Sequence, residues 1–367
     1  MNIITKQFTD LEIKYDLSRI APLEDILFLD IETTGFSPAS SVLYMIGCAY
    51  WDGITFTCKQ YFAEKPEEES EILKTFLESV RKYRVLIHFN GNNFDIPYIE
   101  NKCEHYGIKC PLSNMVGIDL YKRIAPYKNF LKIPNCKQKT VELYLGIDRR
   151  DVMSGAELIN VYQRYVTHFD VDSLSKLLIH NEEDIQGMIE ICPVLSYSEL
   201  FNSTLTVTKV SMDRVTDING EEKVELVMKI KLPVSFPVPI SHTACDCVFI
   251  GSNDEGILKV PVYEGELKYF YANYRDYYYL PIEDEAMHKS VAGFVDKEHR
   301  KQATAATCYT RVRSLFLPEW DLRFTPFFKS EYQSKEIFLE ITPERKRDRA
   351  FFSDYASHVL GYISTLI

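Results

Sequence analysis

Nowhere in these 367 residues is there a run of about 18 uncharged apolar side chains, so nothing in the chain reads as a bilayer span. The start, Met1-Asn2-Ile3-Ile4-Thr5-Lys6, lacks the long apolar stretch of a signal peptide. The nine cysteines are odd in number, scattered, and mostly set in apolar segments. That pattern makes no disulfide framework and fits reduced thiols. Excess positive charge is missing as well: the formal net charge is -11, which argues against a protein that coats nucleic acid over its whole surface. A local basic track remains compatible with that total. These absences together lead us to expect a cytoplasmic chain with no membrane partner. What is present points to folded domains. The length exceeds what one core usually serves, so two domains are expected. The 24 Tyr and 22 Phe call for β-rich packing somewhere in them.

The most informative stretch is Ile26-Leu27-Phe28-Leu29-Asp30-Ile31-Glu32-Thr33-Thr34-Gly35. Its apolar run predicts a buried strand over 26–31, and residues two apart in a strand share a face. Asp30 and Glu32 therefore project together. Two adjacent carboxylates raise each other's pKa unless a positive charge lies between them. A solvated strand end and a divalent-metal site both satisfy this pattern, and further carboxylates elsewhere would favour the metal.

Down the chain, residues 1–25 read as an arm or short helix. Strands are expected over 41–51 and 54–62 around an Asp52-Gly53 hairpin. A helix opens at Pro66-Glu67-Glu68-Glu69, with acids in its first turn. Arg84-Val85-Leu86-Ile87-His88-Phe89 reads as a strand buried on both faces, and a helix starts near Phe94. A strand near 115–120 ends at Asp119, and helices follow over 137–145, 155–165 and, as two more, between 172 and 195. This order describes a mixed α/β sheet with helices on both faces. Between 122 and 150, eight Lys and Arg stand against Glu142 and Asp148, a local charge of about +6. A phosphate-backbone track and a solvated helix face are both open there. Asp148 and Asp151, flanking Arg149 and Arg150, read as a solvated turn. His88 reads as a core histidine, and Asp119 as a cap or a support outside the ligand set.

An acid at the edge of an apolar element recurs in Asn90-x-x-x-Phe94-Asp95 and in His180-Asn181-Glu182-Glu183-Asp184. Asn181 reads as a helix N-cap with Asp184 three residues on. Four hard oxygen donors suit Mg²⁺ or Mn²⁺ better than zinc, and two such ions would hold a scissile phosphate. Asp-x-Glu-Thr-Thr-Gly at 30–35, the motif ending at Asp95, and Asp184 on a late helix resemble the three exonuclease motifs of the DEDD superfamily, which has the ribonuclease-H-like fold. His180-Asn181-x-x-Asp184, with the stretch from Leu145-Gly146-Ile147, is most similar to the YprB-like group. The resemblance spans about residues 20–200. It implies a ribonuclease-H-like exonuclease domain over 1–200 in which Asp30, Glu32, Asp95 and Asp184 bind two Mg²⁺ or Mn²⁺ ions. It further implies that Thr33, Thr34, Gly35 and Phe36 meet the terminal nucleotide, and that Asn90 and Asn93 shape the floor. The implied reaction is 3′–5′ hydrolysis of single-stranded RNA or DNA; a non-catalytic nucleic-acid-binding protein that retains the fold, or a metal-dependent nucleotide phosphohydrolase, is the alternative. His180 occupies the position of a tyrosine in one subgroup, four residues before the last Asp. With a reference pKa of ~6.5 it suits a general base; packing beside the site is the alternative.

Residues 201–367 read as a separate β-rich α+β domain of no recognised family. Short strands are expected near 204–210, 224–232, 247–250 and 257–263, with an Asn219-Gly220 hairpin and a connection through Asn253 to Gly256. A Tyr-rich stretch over 267–280, a helix over 285–295, strands at 306–313 and 336–341, and a final helix over 348–363 complete it. The Tyr cluster with Arg275, Arg311 and Arg313 fits either stacking of bases with phosphates held by the arginines or cross-strand packing. Arg345-Lys346-Arg347 at a helix start hints at an external anion. His242, Cys245 and Cys247 form a weak zinc signal beside the ordinary reading of buried thiols.

Overall fold

The structure is a computed structural model that describes all residues except 152 and 217–219. The chain divides into two compact units, Met1–Ser198 with Phe236–Val238, and Glu199–Ser235 with Pro239–Ile367. The elements of the first are β1 (Asn2–Gln7), β2 (Ile26–Thr33), β3 (Leu43–Trp51), β4 (Phe56–Phe62), α1 (Glu69–Ser79), β5 (Val85–His88), α2 (Asp95–Tyr106), β6 (Val116–Asp119), α3 (Leu120–Ile124), α4 (Gln138–Tyr144), α5 (Gly155–His168) and α6 (Val171–Glu190).

Six strands form one sheet in the order β1-β4-β3-β2-β5-β6. Strands β1 to β4 pair antiparallel, while β2-β5 and β5-β6 are parallel. The expected arm over 1–25 therefore begins as an edge strand, with Ile3 opposite Tyr61 and Lys6 opposite Cys58. Six residues of mixed polarity suffice there because an edge strand buries one face at most. The Asp52-Gly53 turn forms as expected: Gly53 has φ +105°, and one Asp52 carboxylate oxygen accepts from the amides of Ile54 and Thr55.

The alternation of β2 sorts the sheet into two faces. Leu27, Leu29 and Ile31 join Ile72, Leu73, Phe76 and Leu77 of α1 and Tyr98, Ile99 and Cys103 of α2 in one core. On the other face Tyr44, Met45 and Phe62 pack on Leu158, Tyr162 and Tyr165 of α5 and Leu177 of α6. Asp30 and Glu32, out of phase with Leu29 and Ile31, look toward α6. The helix pair foreseen between 172 and 195 is largely one unbroken helix, α6, capped by Asp170 accepting from the Ser173 amide at 2.9 Å. Asn181 lies at its middle and is fully buried, so it caps nothing.

The second unit differs from expectation mainly in strand length. In place of short strands stand β7 (Thr206–Thr216), β8 (Glu222–Ala244) and β9 (Cys247–Phe270). β8 turns into β9 at Cys245 and Asp246, both with positive φ, and β9 runs straight through Asn253 at φ +52°. Asn219, half of the expected Asn219-Gly220 turn, lies outside the described residues. Then follow β10 (Tyr277–Leu280), β11 (Glu285–His288), β12 (Lys301–Gln302), β13 (Tyr309–Glu319), β14 (Phe327–Phe328) and β15 (Ile337–Glu340). They make sheets in the orders β14-β15-β13-β9-β8-β7 and β11-β10-β12. The helix expected over 285–295 shrinks to Lys289–Ala292 because β10 recruits Glu285–His288 as its partner. The final helix, Arg349–Ser364, stands where expected.

Across the first sheet, Asp30, Gly47 and Gln60 lie in register on β2, β3 and β4. A Cβ on Gly47 would come within 2.0 Å of the Asn181 Oδ1. We therefore expect Gly47→Ala to destabilise the protein by about 1–3 kcal/mol through overpacking, measured by urea unfolding. An unchanged midpoint would contradict this close approach.

Candidate metal centre

The site forms where β2 ends, α2 begins and α6 crosses the sheet. A register shift between Glu32 and Thr33 interrupts pairing with β3 directly after the second carboxylate. Such bulges re-aim a strand at its end. Asp95 is the first residue of α2, and its Oδ1 accepts the Ile31 amide at 3.2 Å, which ties the helix start to β2. The turn before it is built on Asp119, whose carboxylate accepts from the amides of Asn90 (2.9 Å), Asn92 and Lys122. Asp119 is thus both helix cap and turn support. His88, fully buried, accepts the Gly91 amide through Nδ1 at 3.1 Å, as befits a core histidine.

On α6, His180 and Asp184 share a face one turn apart. Asn181 lies over Gly47 and joins the strand row. Its Nδ2 donates to Asp30 Oδ2 at 2.9 Å, and its Oδ1 accepts from Gln60 Nε2 at 3.0 Å. Asp184 Oδ1 accepts from Arg149 Nη2 at 2.5 Å. Arg149 is itself locked by an ion pair with the buried Glu142. Gly187 makes room for this, since a Cβ there would meet Glu142 Oε1 at 2.1 Å. His180 Nδ1 meets Asp151 Oδ2 at 2.7 Å, while Nε2 lies 3.2 Å from Asp184 Oδ2 and 3.8 Å from Glu32 Oε1.

Several expectations change here. Arg149 is drawn inward, locked on Glu142 and Asp184, while Arg150 pairs with Glu183 and stays largely exposed. Asp151 belongs to no solvated turn: its side chain is 6% exposed and serves His180 and Lys139. Asn181, Gln60, Asp151 and Arg149 are the residues the sequence reading missed. The signal available was polarity inside apolar patterns, Gln60 in a buried strand and Asn181 between Leu177 and Ile185.

The remaining expected residues ring this cluster. Thr33 donates its hydroxyl to the Gly35 carbonyl, and Thr34 accepts the Val42 amide, so both shape the loop after β2. Phe36 is 92% exposed and meets Phe94 edge-on at 6.1 Å. Asn90, at φ +61°, accepts from Asn93 Nδ2 at 2.8 Å, and the pair staples the turn before α2. In the second unit, Tyr271 stacks on Tyr277 at 4.6 Å, and Arg311 pairs with Glu266 and Asp284. Arg345, of the basic Arg345-Lys346-Arg347 run, donates to the Glu340 and Thr325 carbonyls.

Charge dominates the centre. Burial, then Glu32, Asp184 and Asp95, push Asp30 well above the usual carboxylate range. Burial, then Asp184, Asp95 and Asp151, do the same to Glu32. Burial is also the main reason Asp95 rises to about 7, against amide hydrogen bonds that lower it. The Tyr44 hydroxyl is buried without a partner, its ionisation resisted by burial and by Glu32 and Asp30. Among the described residues, one group of three metal-ligating side chains converges: Glu32, His180 and Asp184 place a donor atom each within 4.8 Å of one another. Crowded carboxylates held by fixed partners fit a divalent cation, which would relieve their repulsion.

Residues 27–196 match the model of the RNase_H superfamily. The first unit thus contains an RNase H-like domain, a mixed sheet flanked by helices, and the second is β-rich. A DNA polymerase of Methanocaldococcus jannaschii is 28% identical over 114 residues, 29% of this chain and 7% of that one. A DNA polymerase of Pyrococcus glycovorans is 35% identical over 96 residues, 24% of this chain and 12% of its own. The chain thus spans only about a tenth of the length of these relatives. Among solved structures, the family B DNA polymerase of Pyrobaculum calidifontis aligns over 48% of this chain and 26% of its own, at 16% identity and a TM-score of 0.40. E. coli Exonuclease I in complex with a dA16 oligonucleotide aligns over 57% and 55%, at 12% identity and a TM-score of 0.29. No helix of the described residues is long and apolar enough to cross a membrane.

A carboxylate whose folded pKa exceeds its unfolded value of ~3.9 costs stability as pH rises between the two. For Asp95 that window runs from about 4 to about 7. In EDTA, Asp95→Asn should therefore melt above wild type by a few degrees at pH 8 and by much less at pH 5. Calorimetry at both pH values checks this; an equal gap at each would show that no charge is being relieved.

Proposed function

We propose that the RNase H-like domain is a two-metal 3′–5′ exonuclease of the DEDD superfamily, most similar to its YprB-like group, acting on single-stranded nucleic acid. The observation that carries this reading is the convergence of Asp30 and Glu32 on β2, Asp95 at the start of α2 and Asp184 on α6, where burial and the neighbouring acids push Asp30 and Glu32 well above the usual carboxylate range. Mg²⁺ or Mn²⁺ held there would supply Lewis-acid polarisation of a phosphodiester. The chain's own residues do the rest. Asn181 orients Asp30, the Ile31 amide orients Asp95, and Arg149 orients Asp184. Thr33, Thr34 and Gly35 set the loop that would receive the terminal nucleotide. Phe36 and Phe94 offer an exposed aromatic edge for its base, since stacking tolerates any base. Asn90 and Asn93 form the floor.

The matched relatives are DNA polymerases by name, which supports a nucleic-acid substrate and leaves RNA and DNA both as candidates. A cytoplasmic setting is part of this proposal, resting on the scattered cysteines of odd number. The β-rich unit, with its sequence outside the matched residues, is proposed to select or grip the substrate.

The test is shortening of 5′-labelled single-stranded RNA and DNA by the full chain with Mn²⁺ or with EDTA. Ladders shrinking from the 3′ end, in Mn²⁺ only, are expected. Asp30→Asn should slow them at least about 100-fold, some 3 kcal/mol of barrier. Binding without shortening would overturn the exonuclease reading, and wild-type rates in Asp30→Asn would overturn the site.

A further inference from the structure

We infer that His180 is itself a metal ligand, through Nε2, and not the free general base that its place in the sequence suggests. This rests on reading the carboxylates as a metal pocket, and it holds whether or not the pocket cleaves nucleic acid.

The case starts from the other ring nitrogen. His180 Nδ1 is committed to Asp151 Oδ2 at 2.7 Å, deep in the structure, with the His180 and Asp151 side chains 7% and 6% exposed. Asp151 does not swing, because its second oxygen accepts the Met153 amide at 3.0 Å and Lys139 Nζ approaches at 3.2 Å. A carboxylate on Nδ1 fixes a proton on that atom and leaves the Nε2 lone pair on the far side.

That lone pair faces acids. Asp184 Oδ2 is 3.2 Å away and Glu32 Oε1 is 3.8 Å away. Lone pairs so close and so buried require a cation between them. A proton on Nε2 would satisfy one of them and would make the ring unable to accept another proton. A metal ion satisfies all three donors at once. A histidine whose outer nitrogen is held by a carboxylate is the usual arrangement of a metal-binding imidazole. Nitrogen in the donor set disfavours Mg²⁺, which prefers oxygen in strict octahedral geometry, relative to Mn²⁺. The Asp151–His180 pair therefore tilts one of the two positions toward a first-row transition ion, with Asp151 as a positioning residue.

Calorimetric titration of the metal-free full chain with MnCl₂ and with MgCl₂ tests this on wild type, His180→Gln and Asp151→Asn. We expect His180→Gln to weaken Mn²⁺ at least about tenfold and Mg²⁺ by less, and Asp151→Asn to weaken Mn²⁺ by a similar factor, in the range usual for outer-shell partners. Pulsed EPR of the wild-type Mn²⁺ complex should show a nitrogen coupling, a readout that does not depend on any variant folding. If wild type binds both ions with no such coupling, or His180→Gln binds them as wild type does, the inference fails while the metal pocket stands. If wild type binds neither ion, the pocket reading falls and the inference with it.

Discussion

Like charges held close together in a largely buried pocket are the constraint on which the rest of this domain depends. Isolated buried carboxylates are costly, and here several share one space. The fold answers by fixing them one at a time with partners of different kinds. An amide side chain holds Asp30, a backbone N–H holds Asp95, a guanidinium holds Asp184, and an imidazole with an ammonium holds Asp151. Each partner comes from an element with a separate packing role. A long α6 lying across β2, β3 and β4, a short α2 starting where β2 ends, and a return of the chain to place Arg149 are what this set demands. The residual repulsion is of the kind that a cation in the pocket would relieve.

Much of this arrangement was legible beforehand. Period-two alternation in 26–33 separates Leu29 and Ile31 from Asp30 and Glu32, and that one pattern fixes which face of the sheet carries the chemistry. Asp95 and Asp184 could be found because each follows a recognisable apolar element. The partners of these acids were not legible, for a physical reason. Asn181, Asp151 and Arg149 are common residues whose local sequence supports an equally good local account: a cap, a turn, a basic face. Their burial and pairing arise from contacts between distant elements, such as Gln60 reaching Asn181 across 121 positions, which neither periodicity nor composition encodes.

The β-rich unit shows the same limit in another form. Strands were foreseen, but their lengths were not, because Asn253 and the Gly256 after it look like a turn signal and yet sit inside β9. Ladder pairing on both sides of a central strand overrides local turn preference. Glu285–His288 likewise follows its partner β10 and not its own helical pattern. Arg311 and Arg345, attractive as phosphate contacts in sequence, spend their donors on nearby carboxylates and carbonyls.

Gly47 makes one further difference. Because Asn181 Oδ1 fills the space where its side chain would be, positions 47 and 181 are not independent under substitution. A larger residue at 47 requires a smaller one at 181, and a smaller one at 181 strips Gln60 and Asp30 of their shared partner at the same stroke. Substitutions at 47 and 181 are thus coupled. One glycine thus sets the size of the side chain that can hold Asp30 and Gln60 together from α6.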